Sequence, residues 1–433
     1  MGFAYILTLL FIAVSYLTPA EMAPGLAPYR IGLILAGLTA LASTINLLGG
    51  MYSFQAFQVY AAIMFLGATM LSLMATGWLG GAVVAVVSFA PAVAAMVFVG
   101  VNVNTMRRIK LLALLLIGLS LFLTIQGAMG YYLGYREEEL IVKQWASMEE
   151  ESTGVPSLRR MRAFGFLADP NDLAQQFTVV MPFVLAFWRK RAPIRNLLLV
   201  MIPMVLLMWG IYMTGSRGAI VGLTVLIFLL AREKLKWIGA GLTTAVGAVG
   251  LLGLSFGGGR SLSMQEGSAG GRAEAWGTGL AELIGHPIFG VGYTRFTEYH
   301  TITAHNMFVL CMTETGMLGY LLFMLMLTIG LLELHRLCHA KVENEEEQER
   351  VRWAKALFIS IICFLATGWF LSRTYAPSLY VYLGMGVALA EMDRRSRKPV
   401  LTGFDEGWVV KSLAASVGII ALVYAIVRLR WSG

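Results

Sequence analysis

Charge is scarce in this chain. Only 13% of its 433 residues are Asp, Glu, Lys or Arg, against roughly 25% in soluble globular proteins. A charged side chain in hydrocarbon costs several kcal/mol, so the deficit, with 58% hydrophobic residues, excludes an ordinary soluble globule and points to a polytopic membrane protein. Cysteine is scarce too. Cys311, Cys338 and Cys363 have no metal-like spacing, two lying in apolar runs and one in a basic loop, which excludes a structural disulfide framework. No Asp/Glu cluster suited to a divalent metal stands near the polar motifs taken up below, and no metal or cofactor is expected. The N-terminal MGFAYILTLLFIAVSYLTPAEM has no basic stretch ahead of its apolar run, so it reads as a first membrane helix and not as a cleaved signal.

What is present is a long series of apolar runs. Spanning helices need roughly 17–25 apolar residues. Candidates are 3–19, 30–48, 55–76, 80–102, 111–130, 173–188, 196–213, 218–231, 237–256, 307–333, 354–371, 376–391 and 409–427. The expected fold is therefore all-α, a single membrane domain over 1–433 with about 12–13 transmembrane helices. The formal net charge of +8 does not imply nucleic acid, because Lys and Arg sit in short clusters between the apolar runs, as the positive-inside rule requires. The clusters at Arg107–Lys110, Arg189–Arg195, Arg232–Lys236, Arg336–Lys355 and Arg394–Lys398 all count to one side, the cytoplasmic one. Arg428 and Arg430 count to the other, so the last helix is either interfacial or does not obey its terminal charges. Two long loops, 131–172 and 257–306, then face outward, and loops of that length are usually functional or disordered. The charged segment VENEEEQERVRWAK, Val342 to Lys355, reads as a solvated cytoplasmic extension of a helix.

Four polar stretches interrupt the apolar pattern on the outward side. In TGSRGAIVGL, Thr214–Leu223, Arg217 stands at the start of an apolar helix. A border arginine is a candidate functional group, and its forked donors suit phosphate; as a plain interface residue it would snorkel to the headgroups. In GRAEAWGTGLAELIGHPIFGVGY, Gly271–Tyr293, residues 272–284 predict a short amphipathic helix with Ala273, Trp276, Leu280 and Leu283 as its apolar stripe. Arg272 lies in its first turn, and Arg260 follows a run of three glycines. His286 precedes a proline in a turn, which suits a structural hydrogen bond better than a base. In AHNMFVLCMTETGMLGY, Ala304–Tyr320, His305 and Asn306 stand at the mouth of a membrane helix. Histidine is the side chain suited to proton removal near neutrality. Glu314, nine residues on, faces away from His305 on a straight helix, so a buried packing hydrogen bond suits it. In RRMRAFGFLADPNDLAQQF, Arg159–Phe177, Asp169 or Asn171 is placed to cap the next helix. Arg159, Arg160 and Arg162 form a basic patch for an anionic ligand or for lipid headgroups.

Together these stretches resemble the O-antigen ligase and O-antigen polymerase superfamily of bacterial envelope glycosyltransferases. The resemblance is carried by SRG at Ser216–Gly218, R-x-x-x-W at Arg272–Trp276, HPIFGVG at His286–Gly292, AHN with E-x-G across Ala304–Gly316, and FGFLADPNDLAQ at Phe164–Gln175. It implies an inverting, metal-independent transferase in the bacterial inner (cytoplasmic) membrane, with its active site facing the periplasm. The donor would be an undecaprenyl-diphosphate-linked glycan, the acceptor a glycan, lipid A core or protein hydroxyl, and membrane lipid the surrounding partner. By this resemblance Arg217 and Arg272 hold the diphosphate and His305 activates the acceptor hydroxyl. Arg260, Arg162, Arg159, Asn306, Trp276, His286 and Glu314 complete the candidate substrate-binding set. The competing reading is a transporter or flippase of a lipid-linked saccharide, which would also need arginines for a diphosphate. Against it, the chain lacks the paired repeat of broken helices that many transporters show.

Overall fold

The structure, a computed structural model, describes residues 2–48, 56–144, 158–255, 267–396 and 405–431. It is 81% helical. The long helices are α1 (Phe3–Leu17), α2 (Ile31–Leu48), α3 (Phe57–Ala75), α4 (Gly81–Asn102), α5 (Met106–Leu133), α6 (Pro170–Ala186) and α7 (Ile202–Thr214). They continue with α8 (Arg217–Lys234), α9 (Trp237–Ser255), α10 (Gly267–Gly285), α11 (Met307–Cys338), α12 (Glu345–Gly368), α13 (Pro377–Ser396) and α14 (Glu406–Trp431). Every one of the thirteen apolar segments forms a helix, and α10 adds the amphipathic one.

Among the described residues, eight helical stretches are long and apolar enough to cross a membrane: Pro24–Leu48, Phe57–Ala75, Gly81–Asn102, Met106–Leu133, Pro193–Thr214, Met307–Cys338, Glu345–Gly368 and Glu406–Leu429. The others are shorter, like α1 and α6, or carry charge at one end, as α8 does with Arg232 and Lys234. Burial confirms that the solvent is lipid. On α2 the only buried residues are Thr39 and Ser43, while Leu41, Ile45 and Leu48 are more than half exposed. The Ser43 hydroxyl accepts from Asn102 Nδ2 at 2.8 Å. Polar groups turned inward and leucines outward make a helix stable where no water can satisfy a hydroxyl. The protein is an all-α, polytopic membrane protein.

The chain divides into two compact units. One comprises Met1–Leu38, Met106–Leu262 and Val342–Thr367; the other comprises Thr39–Thr105, Ser263–Lys341 and Gly368–Gly433. In the first, α6 is the central element, buried along nearly its whole length. Asp169 caps it by accepting the Asn171 N–H at 2.7 Å, with Pro170 in the first helical position, where its missing donor costs nothing. Gln175 donates to Phe364 O and Thr367 Oγ1 of α12 at 3.1 and 2.7 Å, and the Ser360 hydroxyl returns a bond to Val179 O at 2.7 Å. Two short strands, β1 (Ile141–Gln144) and β2 (Leu158–Met161), pair antiparallel inside the loop that follows α5.

At one end of this unit the charged segment extends α12 as expected, exposed from Val342 to Glu346, and begins to pack from Glu349 on. Glu349 takes salt bridges from Lys110, Arg189 and Arg352 at 3.0, 2.8 and 3.1 Å, and Trp353 is fully buried against Phe183 and Phe187. A groove of about 1210 Å³ opens between the ends of α6, α8 and α12 there. Its charges largely neutralise one another, Lys355 reaching Glu233 at 3.4 Å. None of the four outward polar stretches lines it.

In the second unit α11 is the spine, packed by α3, α10, α13 and α14, with α4 against α3 and α13. Its core is aromatic: Phe65, Phe89, Tyr293, Tyr375 and Tyr380 pack ring on ring, mostly edge to face. All three cysteines are free thiols.

Candidate active site

The second unit gathers most of the candidate residues around the mouth of α11. Four consecutive residues there are each fixed by a side chain. The Trp276 indole on α10 donates to Ala304 O at 2.9 Å. The His305 N–H donates to Ser372 Oγ at 2.9 Å, and Ser372 Oγ also bonds Thr303 Oγ1 at 2.8 Å. Asn306 caps α11, its Oδ1 accepting from the Phe308 and Val309 N–H groups at 2.9 and 3.1 Å. The Thr374 hydroxyl donates to Met307 O at 2.5 Å. His305 itself adopts φ +46°, a left-handed conformation uncommon for any residue but glycine. Its side chain is partly exposed, while Ala304 and Asn306 on either side are buried.

Arg272 joins this mouth through the geometry of α10. Residues 272, 276 and 279 are spaced i, i+4, i+7 and share one helix face. That face meets α11: Trp276 bonds Ala304, and the Thr313 hydroxyl reaches Gly279 O at 3.1 Å. A Cβ on Gly279 would stand 2.6 Å from Val309 Cγ1, so the two helices nearly touch. Arg272 is half-buried one turn before Trp276, on the side of the polar segment. The R-x-x-x-W spacing thus puts Arg272 on the same helix face as the tryptophan that anchors Ala304, the residue before His305.

The remaining polar residues are mostly structural. After Glu314 the helix breaks at Gly316 (φ 61°, ψ −166°), a conformation essentially reserved for glycine. The backbone groups released there pair with the HPIFGVG segment. Val291 N–H bonds Thr313 O at 2.9 Å and Gly292 N–H bonds Glu314 O at 3.1 Å; Met317 N–H bonds Pro287 O at 2.8 Å and Leu318 N–H bonds Ile288 O at 3.2 Å. Gly290 and Gly316 face each other so closely that a Cβ on either would collide with the other strand's backbone. Glu314 is buried. Its Oε1 accepts the Phe296 N–H at 3.3 Å, and its carbonyl accepts the Ser72 hydroxyl. Its carboxylate and the buried Tyr375 hydroxyl face each other across the core. Tyr293 accepts from Ser88 at 3.2 Å, and burial raises its phenol above the usual range against that bond. His286 is half exposed, 3.4 Å from Glu282. This polar insertion is therefore an ordered strap locked into a broken membrane helix.

The first unit holds the rest. Ser216 caps α8 and donates its hydroxyl to Asn171 Oδ1 at 2.9 Å, while Arg160 reaches the same oxygen at 2.8 Å and Thr214 O at 2.9 Å. The SRG turn, the DPN turn and β2 are thus tied at one amide, with Arg217 as the first residue of α8. Arg159 pairs with Glu137 at 3.2 Å and lies over Tyr131, and Arg162 donates to the carbonyls of Glu139 and Glu138. Arg260 lies outside the described residues. No group of three His, Cys, Asp or Glu side chains that could hold a metal ion occurs among the described residues.

Sequence reasoning passed over Ser372, Thr374 and the buried Arg373. The signal was present as the polar SRT between α12 and α13, but its partners lie about 70 residues away and nothing local links them.

Residues 202–324 match the family described as O-antigen ligase. That stretch is similar to O-antigen ligases. This region runs from α7 into α11 and contains Arg217, Arg272, Trp276, His286, His305, Asn306, Glu314 and Gly316. It ends before Ser372 and begins after the Arg160–Asn171 cluster. No curated relative matches the chain significantly. The long apolar helices mark a multi-pass membrane protein, and its similarity to O-antigen ligases is confined to residues 202–324.

Proposed function

We propose that the protein is a membrane glycosyltransferase that moves a glycan from undecaprenyl diphosphate to an acceptor hydroxyl at the outer face of the inner membrane. The observation that supports this reading is the anchoring of Ala304, the neighbour of His305, by Trp276 on the helix face that also bears Arg272, inside the stretch similar to O-antigen ligases. In the reaction His305 takes the proton from the acceptor hydroxyl. The freed oxygen attacks the anomeric carbon from the side opposite the diphosphate. The carbon–oxygen bond to the diphosphate breaks, configuration inverts, and the lipid diphosphate leaves with the bonding pair. Arg272 and Arg217 meet the charge that grows on it; fixed cations of this kind are worth most in a site closed to water. Arg260, Arg159, Arg162, Asn306, Trp276, His286 and Glu314 form the wider set that binds or frames the substrates.

The break in α11 does not favour a transporter, because the strap 287–292 fills it with backbone hydrogen bonds. The reading is tested with purified protein, a lipid-diphosphate glycan and candidate acceptors. His305→Ala should lower transfer by about 10²–10⁴-fold, the usual contribution of a general base, with the protein still folded. Arg217→Lys and Arg272→Lys should each be strongly impaired, since lysine keeps the charge but loses the fork. Wild-type transfer by His305→Ala would remove the base assignment, and full activity of both lysine variants would reduce the arginines to generic charges.

A further inference from the structure

We infer that Ser372, on the connection between α12 and α13, is a positioning residue that aims the His305 imidazole through its backbone, with Thr303 as its partner. The inference rests on the reading of His305 as the base. Three observations lead to it. His305 is held at φ +46°, a left-handed conformation uncommon for a residue other than glycine. The group that meets its N–H is the Ser372 hydroxyl, 2.9 Å away, itself tied to the Thr303 hydroxyl at 2.8 Å. Thr374, two residues on, bonds Met307 O and accepts the Tyr380 hydroxyl at its own carbonyl, 3.2 Å away. The SRT segment therefore grips the backbone on both sides of His305.

An imidazole reaches its substrate only if the backbone bearing it is correctly turned. With the Ser372 hydroxyl gone, the His305 N–H loses its acceptor, and rotation about φ swings the ring away from the acceptor oxygen. A misplacement on the order of 1 Å at a reacting group costs about 10²-fold in rate. Ser372 is partly exposed, so threonine fits in its place and keeps the hydroxyl.

The test compares Ser372→Ala, Ser372→Thr, Thr303→Val and the Ser372→Ala/Thr303→Val pair in transfer assays, with His305→Ala alongside. Ser372→Ala should lower kcat by roughly 10- to 100-fold with the donor KM and the melting temperature unchanged. Ser372→Thr should restore most of it. Thr303→Val should have a smaller effect, and the double variant should be no worse than Ser372→Ala, as expected for residues acting as one unit. If His305→Ala is inactive while Ser372→Ala turns over like wild type, the positioning role is wrong and the base assignment stands. If His305→Ala is itself active, both fall. A Ser372→Ala loss carried by KM or by a lower melting temperature, and not restored by threonine, would make Ser372 a structural clamp and overturn the inference.

Discussion

Replacing Gly316 by alanine should be among the most damaging single-methyl changes in this protein. Gly316 sits at φ 61°, ψ −166°, where a side chain costs about 1–3 kcal/mol in backbone strain alone. The new Cβ would also collide with Ile288 O and the Gly290 nitrogen. Those are backbone atoms and cannot rotate aside. Relief requires parting the strap from the helix, which loses the bonds from Met317 N–H to Pro287 O (2.8 Å) and Leu318 N–H to Ile288 O (3.2 Å), at about 1 kcal/mol each. The sum is about 3–5 kcal/mol, well above the roughly 1 kcal/mol typical of point mutants. The control is Gly118→Ala on α5, where a Cβ meets nothing within 4 Å and alanine should be neutral or stabilising by about 0.5–1 kcal/mol. Unfolding in mixed detergent micelles, followed by tryptophan fluorescence, reads both. Gly290→Ala should be similarly damaging and not additive with Gly316→Ala, because both open the same lock. If Gly316→Ala unfolds with the Gly118→Ala control, the strap is not locked into the helix and the account of the E-x-G motif is wrong.

Three further outcomes are expected. Trp276→Phe keeps the ring but removes the donor to the buried Ala304 carbonyl, costing about 1–3 kcal/mol; transfer should fall while thermal melting still shows one cooperative transition. Arg160→Lys should destabilise the first unit by about 1–2 kcal/mol in the same micelle assay, because one ammonium cannot reach both Thr214 O and Asn171 Oδ1. Glu137 is held below the ordinary carboxylate range, chiefly by its hydrogen bond from Lys143 and then by Arg159. Its contribution to the hairpin is complete above that range and disappears as pH falls through the lowered value, so hydrogen exchange in β1 and β2 should accelerate on strong acidification and not between pH 6 and 8.

The helices were legible because lipid imposes one rule over long stretches. An apolar run long enough to span has no other stable form, and all thirteen runs became helices. The amphipathic α10 and the Asp169–Pro170 start of α6 were readable for the same reason: their signals are local. The break in α11 was not, since Gly316 within an apolar run looks like one more tolerated glycine until the strap that meets it is known. The hairpin of β1 and β2 escaped because four-residue strands offer no periodicity to count. At the site, the residue types at Arg272, Trp276 and His305 were legible, but Trp276 read as packing and not as the anchor of Ala304. Ser372 was out of reach, because its partnership with His305, 67 residues away, exists only once the segment before α13 has folded onto the mouth of α11.

The central claim is most directly tested by release of free lipid diphosphate from a lipid-diphosphate glycan by the purified protein in liposomes. The account predicts release only when an acceptor is added, in step with transferred glycan, and its loss in His305→Ala. Movement of intact donor across the bilayer with no release, or release that His305→Ala performs as well as wild type, would contradict it.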